Sequence, residues 1–209
     1  QINIALLGSG TVGGGVLQVL EKNGGDIAQK IGLPVKVTKV LVRNPAKYQE
    51  ELKNYQMVTA IEDIVNDPQI DIVIELMGRD HPAKEYMAAA LAAGKNVITA
   101  NKDVLAQYGK EFFALAEAHQ VDFMFEAAVG GGIPIIRPLK NCLAANKVTH
   151  ILGIVNGTTN YMLTKMTQDG MSYADALKKA QVKGYAESDP TADVEGLDSA
   201  RKIAILASI

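Results

Sequence analysis

A chain of 209 residues with 21 Lys and Arg against 23 Asp and Glu has length for one large or two small domains. Its net charge of −2 gives no general attraction to nucleic acid or to an anionic membrane. The 48% hydrophobic and 21% charged content excludes a disordered chain, and the single cysteine, Cys142, excludes an internal disulfide framework and suits a reducing cytoplasm.

Gln1-Ile2-Asn3 opens directly into a strand, with no signal peptide, and no apolar run reaches membrane-spanning length. With no initiating Met, and with Ala207-Ser208-Ile209 closing inside a helical pattern, the chain is expected to be a piece of a longer protein. The apolar run Asn3 to Leu7 meets Gly8-Ser9-Gly10-Thr11-Val12-Gly13 and then a helical pattern through Val16, Val19 and Leu20. Placed between strand and helix, this is a dinucleotide fingerprint. Gly8 makes the turn, Gly10 lets backbone approach a pyrophosphate, and Gly13 lets helix pack on strand. The amides of Thr11 and Val12 open the helix, where an anion is favoured.

The second strand runs from Val35 to Val42. An acid at its end would suit the ribose 2′-hydroxyl of NAD, whereas an arginine suits the 2′-phosphate of NADP. Arg43 stands there, followed by Asn44-Pro45 and Lys47, so NADP(H) is expected over NAD(H). Asp71 to Met77 is a near-continuous apolar strand, of the kind covered on both faces. Gly78 ends it, and an alanine-rich helix from Pro82 to Ala93 is closed by Gly94. Next come a strand from Asn96 to Ala100, the turn Asn101-Lys102-Asp103, a helix from Val104 to His119 and a strand from Asp122 to Ala127. This alternation predicts a Rossmann-type doubly wound parallel sheet with ligand at the strands' carboxyl ends, where Met77, Gly78, Thr99 and Lys102 lie. His81 reads as a surface residue.

Glu126-Ala127-Ala128-Val129-Gly130-Gly131-Gly132-Ile133-Pro134 leaves the sheet as a hinge, and a carboxylate with several freed carbonyls is hard-cation chemistry. The sequence therefore divides into a nucleotide-binding domain, 1–134, and a second domain, 135–209. The second is expected to hold a helix near Ile135 to Ala145, with Cys142 a buried small hydrophobe, and a strand from Val148 to Val155 carrying His150. After Asn156-Gly157-Thr158-Thr159-Asn160-Tyr161 a helix passes through Met162 and Met166, and Ser172 with Asp175 forms a capping box.

The stretch Ala180 to Lys202 gathers four carboxylates, Glu187, Asp189, Asp193 and Asp198, around Gly184 and Pro190. From Gly196 to Ile209 it turns helical, with Leu197, Ala200, Ile203, Ala204 and Ala207 on one face. Asp198 and Lys202 stand at i and i+4, within reach of each other. Such pairs are mostly surface decoration. Fed by an acidic loop, this one also fits a pocket for a small cationic, hydroxylated substrate.

The pattern Ala180-x3-Gly184-Tyr185-Ala186-x2-Asp189-Pro190-x2-Asp193-Val194-x-Gly196-x-Asp198-x3-Lys202 resembles the signature of homoserine dehydrogenases. The Gly-rich loop, ELMG (75–78), VITANK (97–102) and NGTTN (156–160) are similar to that family as well. One departure is visible, since the glycine pair expected after ELM is Gly78-Arg79. The resemblance implies a Rossmann domain followed by the start of an α+β catalytic and dimerisation domain, in a cytoplasmic homodimer. It also implies NAD(P)-dependent interconversion of L-homoserine and L-aspartate 4-semialdehyde, a step in threonine, methionine and isoleucine biosynthesis. Lys202 would be the general acid/base, Asp198 would bind and orient substrate, and Lys102 would lie near nicotinamide and substrate. Glu187 would hold the substrate's amino group, with Asp193 and Gly184 also on the substrate side. A monovalent cation, Na+, would be bound through Glu126, Val129, Gly131 and Ile133. On the residues alone two other readings stand: a dehydrogenase of another amino-acid semialdehyde using Cys142 as nucleophile, and a non-catalytic NADP-binding module.

Overall fold

The computed structural model describes all 209 residues, which group into two compact units, Gln1–Ala128 and Val129–Ile209. No helix in either is long and apolar enough to cross a membrane.

The first unit is built on one six-stranded parallel sheet of order β3-β2-β1-β4-β5-β6. The strands are β1 (Ile2–Leu7), β2 (Val35–Leu41), β3 (Gln56–Val58), β4 (Ile72–Glu75), β5 (Asn96–Thr99) and β6 (Phe123–Met124). Strand order reverses between β1 and β4, so their carboxyl ends flank a crevice at the switch point. The helices α1 (Thr11–Ile31), α2 (Glu62–Val65), α3 (Ala83–Ala92) and α4 (Lys102–His119) join the strands. Ile4, Leu6, Val37, Val40 and Ile74 of the sheet bury Leu17 of α1, and Phe112 of α4 is fully enclosed beside Phe123, ring centroids 5.4 Å apart. Both faces are covered, which is why β1 and β4 read as near-continuous apolar runs, whereas β2, VKVTKVL, carries Lys36, Thr38 and Lys39.

Three differences from the sequence reading appear in this unit. Strand β6 is only two residues long, because Glu126–Ala128 coil into a 3₁₀ turn. Strand β3 and helix α2 had no clear pattern, being three and four residues long. Helix α1 runs through Gly24 and Gly25 to Ile31 and stops at Gly32, whose φ of 80° fits the left-handed C-terminal position.

The second unit carries α5 (Gly157–Asp169), α6 (Tyr173–Val182), α7 (Thr191–Val194) and α8 (Leu197–Ala207). Met162 packs with Ala176, Ala180 and Ala186 to form its small core. Ser172 caps α6 by accepting the Asp175 N–H at 3.2 Å, and its hydroxyl donates to the Asp175 carboxylate at 2.6 Å. The helix expected over Ile135 to Ala145 is cut to a π-helical turn, Pro138–Cys142, closed by the Leu143 N–H on the Pro138 carbonyl at 3.0 Å. That i→i+5 bond takes the place of the ordinary i→i+4 ladder. Cys142 is exposed, not buried, since so short a turn has no inner face. The strand expected over Val148 to Val155 does not form, as no strand of this unit pairs with it, and Leu152 and Ile154 are left 95% and 79% exposed. On helix α8 Leu197, Ala200, Ile203, Ala204 and Ala207 share a face, as expected, and it is the exposed one, while Asp198, Ile205 and Leu206 are buried. Hydrogen-bonding partners waiting for Asp198 and Lys202 outweigh the apolar stripe.

Gly13 fixes the start of α1. A Cβ there would run into the Gly8 carbonyl oxygen, so helix and turn touch backbone to backbone. Gly13→Ala is expected to cost about 3 kcal/mol in urea unfolding and to weaken nucleotide binding in parallel. A variant with native stability would show that the turn tolerates a shift.

Candidate active site

At the switch point the chain leaves β1 through Gly8, with φ of 95°, a conformation that side chains rarely adopt. A Cβ on Gly8 would also press on the Leu76 carbonyl at 3.2 Å and on Met77. Gly10 caps α1 without a side chain, and nothing stands within 4 Å of where its Cβ would be. Thr11 and Val12 open the helix beside that space and are exposed. A cavity of about 430 Å³ follows, bounded by Gly8 and Gly10, by Arg43, Lys47 and Tyr48 after β2, and by Met77, Gly78 and Arg79 after β4. A glycine turn and an open helix N-terminus suit the pyrophosphate of a dinucleotide, and two cations, Arg43 and Lys47, stand at the end of β2.

A chain of hydrogen bonds behind the cavity sets the ends of β4 and β5. Glu75 is fully buried, and its carboxylate accepts the Met77 N–H at 2.7 Å and the Thr99 hydroxyl at 2.6 Å. Thr99 Oγ1 accepts the Asn101 N–H at 2.9 Å, and Asn101 Nδ2 donates to the Arg79 carbonyl at 2.8 Å. Asn101 Oδ1 accepts the Val104 N–H at 3.3 Å, capping α4, whose first residue is Lys102. Thr99 therefore shapes the strand ends with a hydroxyl already engaged on both sides. His81 is exposed, as expected, and pairs with Glu85 at 2.6 Å. The Glu85 carboxyl is held below its ordinary value by its own backbone N–H and then by His81.

In the second unit the acidic stretch separates by task. Asp189 forms a turn, accepting the Thr191 hydroxyl at 2.6 Å and N–H at 3.2 Å, which hold its carboxyl below its usual range. Gly184 takes φ of 74° in the turn after α6. Asp193 and Asp198 come together on Asn156, whose Nδ2 donates to both, at 2.8 and 2.9 Å. Lys202 Nζ lies 2.8 Å from Asp198 Oδ2 and donates to the Val155 carbonyl at 2.7 Å, with side chains 17% and 9% exposed. The expected Asp198–Lys202 pair thus forms on an inner face. Glu187 is exposed, and no hydrogen bond or ion pair joins its carboxylate to this group. Between Val129 and Ile133 the turn is tight: Gly132 has φ of 80°, and a Cβ on Gly130 would lie 2.7 Å from the Ile133 carbonyl oxygen. Glu126 lies in the 3₁₀ turn of the first unit.

A family model described as the NAD binding domain of homoserine dehydrogenase matches residues 8–126, more than half of the chain, and a second, described as homoserine dehydrogenase, matches 134–209. The chain belongs to the homoserine dehydrogenase family. It is 48% identical over 209 residues to a homoserine dehydrogenase of Lactococcus lactis, covering 99% of this chain and 49% of that protein. The crystal structure of a homoserine dehydrogenase from Thiobacillus denitrificans matches with a TM-score of 0.94 and 47% identity, over 99% of this chain and 48% of that one. A hyperthermophilic archaeal homoserine dehydrogenase in complex with NADPH matches with a TM-score of 0.85 and 27% identity, over 98% and 68%. The chain spans about half the length of the curated relatives it matches.

Within this homoserine dehydrogenase family chain, sequence reasoning missed Glu75 and Asn101 in the first unit, and Asn156 and the Val155 carbonyl in the second, as the groups that hold the candidate residues of each unit in place. An acid inside the apolar run DIVIELM was a signal for the first, and asparagines directly before helices were signals for the next two. The carbonyl gave none. Replacing Thr99 with valine keeps the shape but strips Glu75 of one donor and the Asn101 N–H of its acceptor. A loss of ~2–4 kcal/mol in chemical unfolding is expected, and a change under about 0.5 kcal/mol would show that water takes the place of the hydroxyl.

Proposed function

We propose that the protein containing this chain interconverts L-homoserine and L-aspartate 4-semialdehyde with NADP(H) preferred over NAD(H). This is a step of threonine, methionine and isoleucine biosynthesis. Family membership and the Lys202 environment support the reading, and the observation that carries it is the amine of Lys202 held between Asp198 Oδ2 and the Val155 carbonyl. The nucleotide-binding domain is assigned to residues 1–134, and the start of the catalytic and dimerisation domain to 135–209.

When bound, the reduced nicotinamide supplies the hydride. The residues of this chain bind, orient and move the proton. Gly8 makes the turn, Gly10 and the amides of Thr11 and Val12 are assigned to the pyrophosphate, Gly13 packs helix on strand, Arg43 with Lys47 is assigned to the 2′-phosphate, and Met77 and Gly78 border the same cavity. Thr99 holds the strand ends, and Lys102, opening α4, is assigned to the nicotinamide and substrate side. Two of the three hydrogens of the Lys202 ammonium are committed to Asp198 and Val155, leaving the third for the substrate oxygen. As the aldehyde oxygen gains charge, Lys202 gives it that proton and is left as the neutral amine, which solvent recharges; oxidation runs the same transfer in reverse. Asp198, Asp193, Glu187 and the Gly184 turn are assigned to the substrate, Glu187 to its ammonium group.

Glu126 and the carbonyls of Val129, Gly131 and Ile133 are the residues that would hold a monovalent cation such as Na+. Their oxygen chemistry and the tight turn at Gly130 suit a hard ion in a structural role. A cytoplasmic homodimer is part of the same proposal, supported by the lone cysteine and the family.

Lys202→Ala in the full-length protein is expected to keep NADPH affinity and lose turnover by at least ~10²-fold, the scale of general acid–base catalysis. Near-native turnover would remove Lys202 from the role. For the cofactor, Arg43→Ala is expected to lower kcat/KM with NADPH by ~10–100-fold and to leave NADH within about threefold, the worth of a charge-assisted phosphate contact. An equal loss with both cofactors would refute discrimination at Arg43.

A further inference from the structure

Asn156 precedes α5 in an extended conformation and is 94% enclosed, with 6% of its surface exposed. Every hydrogen bond its side chain can make is made. Its Oδ1 accepts the Thr159 N–H and hydroxyl, each at 2.8 Å, and its two Nδ2 hydrogens go to Asp193 Oδ1 and Asp198 Oδ2. A flipped amide would set its oxygen against two carboxylates, so the partners fix the orientation.

Capping a helix needs an acceptor only, and Ser172 does that for α6 with a hydroxyl. The two amide hydrogens are surplus to that task. They fall on the two acids of α7 and α8 that repulsion would otherwise drive apart. They also settle which way Asp198 turns, because the oxygen that takes Nδ2 is the one that lies 2.8 Å from Lys202. The neighbouring carbonyl, Val155, takes a second hydrogen of the same ammonium. One dipeptide, Val155-Asn156, therefore holds both members of the pair, one through its carbonyl and one through its amide.

We propose that Asn156 is a positioning residue for proton transfer: its amide fixes Asp198, and through Asp198 it fixes the Lys202 amine. The inference rests on the role assigned to Lys202 above. Asp198 Oδ2 shared between an amide and an ammonium is confined to one rotamer, and Lys202 is then aimed by two fixed acceptors rather than one.

Asn156→Ser and Asn156→Asp separate capping from positioning, since both keep an acceptor for the Thr159 N–H and neither keeps the amide hydrogens. In the full-length protein, N156S is expected to fold and to keep near-native NADPH affinity, with a lowered melting temperature because Asp193 and Asp198 each lose a donor. Its kcat for homoserine oxidation should fall ~10–100-fold, more than KM rises, the effect of misplacing a reacting group by about an ångström. N156D, with a third carboxylate facing Asp193 and Asp198, should fall further. A crystal structure of N156S should show Lys202 Nζ and Asp198 Oδ2 beyond hydrogen-bonding distance. Retained separation, or kcat within about twofold of native in N156S, overturns the proposal. So does failure of both variants to fold, which would make Asn156 a folding residue. Native-like turnover in K202A would sink the assigned chemistry instead, and the Asp198–Lys202 separation in N156S would then decide the positioning alone.

Discussion

An asparagine placed just before a helix offers the helix an oxygen and has two hydrogens left over. The chain uses that surplus twice. Asn101 caps α4 with Oδ1 and holds the Arg79 carbonyl with Nδ2; Asn156 caps α5 with Oδ1 and holds Asp193 and Asp198 with Nδ2. In each case a helix start and a neighbouring loop are locked by one side chain. Aspartate would cap as well, but it could not donate. The positions of Lys102, at the first turn of α4, and of Lys202, against Asp198, both depend on this bond pattern.

Burial makes the pattern compulsory. Glu75 has no exposed surface, and an enclosed carboxylate without donors would cost several kcal/mol. Its donors come from the next turn, Met77, and from the next strand, Thr99. The loops that border the nucleotide cavity are thus tied to the sheet by the group that most needs partners. Asp198 repeats the logic in the second unit, with Asn156 and Lys202 as donors.

Much of this was legible in the residues. The glycine spacing marked the β1–α1 turn, and the apolar runs marked β1 and β4, because strands covered on both faces need no alternation. Ser172 marked the start of α6 by its hydroxyl. What failed was any step needing a partner outside the local window. Val148 to Val155 has strand composition, but a strand exists only in a ladder, and its own unit supplies none. The α8 stripe from Leu197 to Ala207 follows helical spacing and faces outward, because on the other face Asp198 meets a fixed donor, Asn156 Nδ2, and Lys202 a fixed acceptor, the Val155 carbonyl. Periodicity reports which residues share a face, not which face turns inward.

Arg79 shows how a departure in sequence can leave a loop in place. A glycine pair was expected after ELM, and only Gly78 is there, with φ of 68°. Arg79 nevertheless adopts φ of 63°, the left-handed conformation that glycine occupies at little cost and that costs a residue with a Cβ ~1–2 kcal/mol. One specific contact offsets that strain: the Arg79 carbonyl receives Asn101 Nδ2 at 2.8 Å. Asn101 is itself fixed through Thr99 to Glu75. The turn is therefore dictated from the buried side, by the polar network, and not by the freedom of the residue that occupies it. The Arg79 side chain itself stands on the border of the nucleotide cavity.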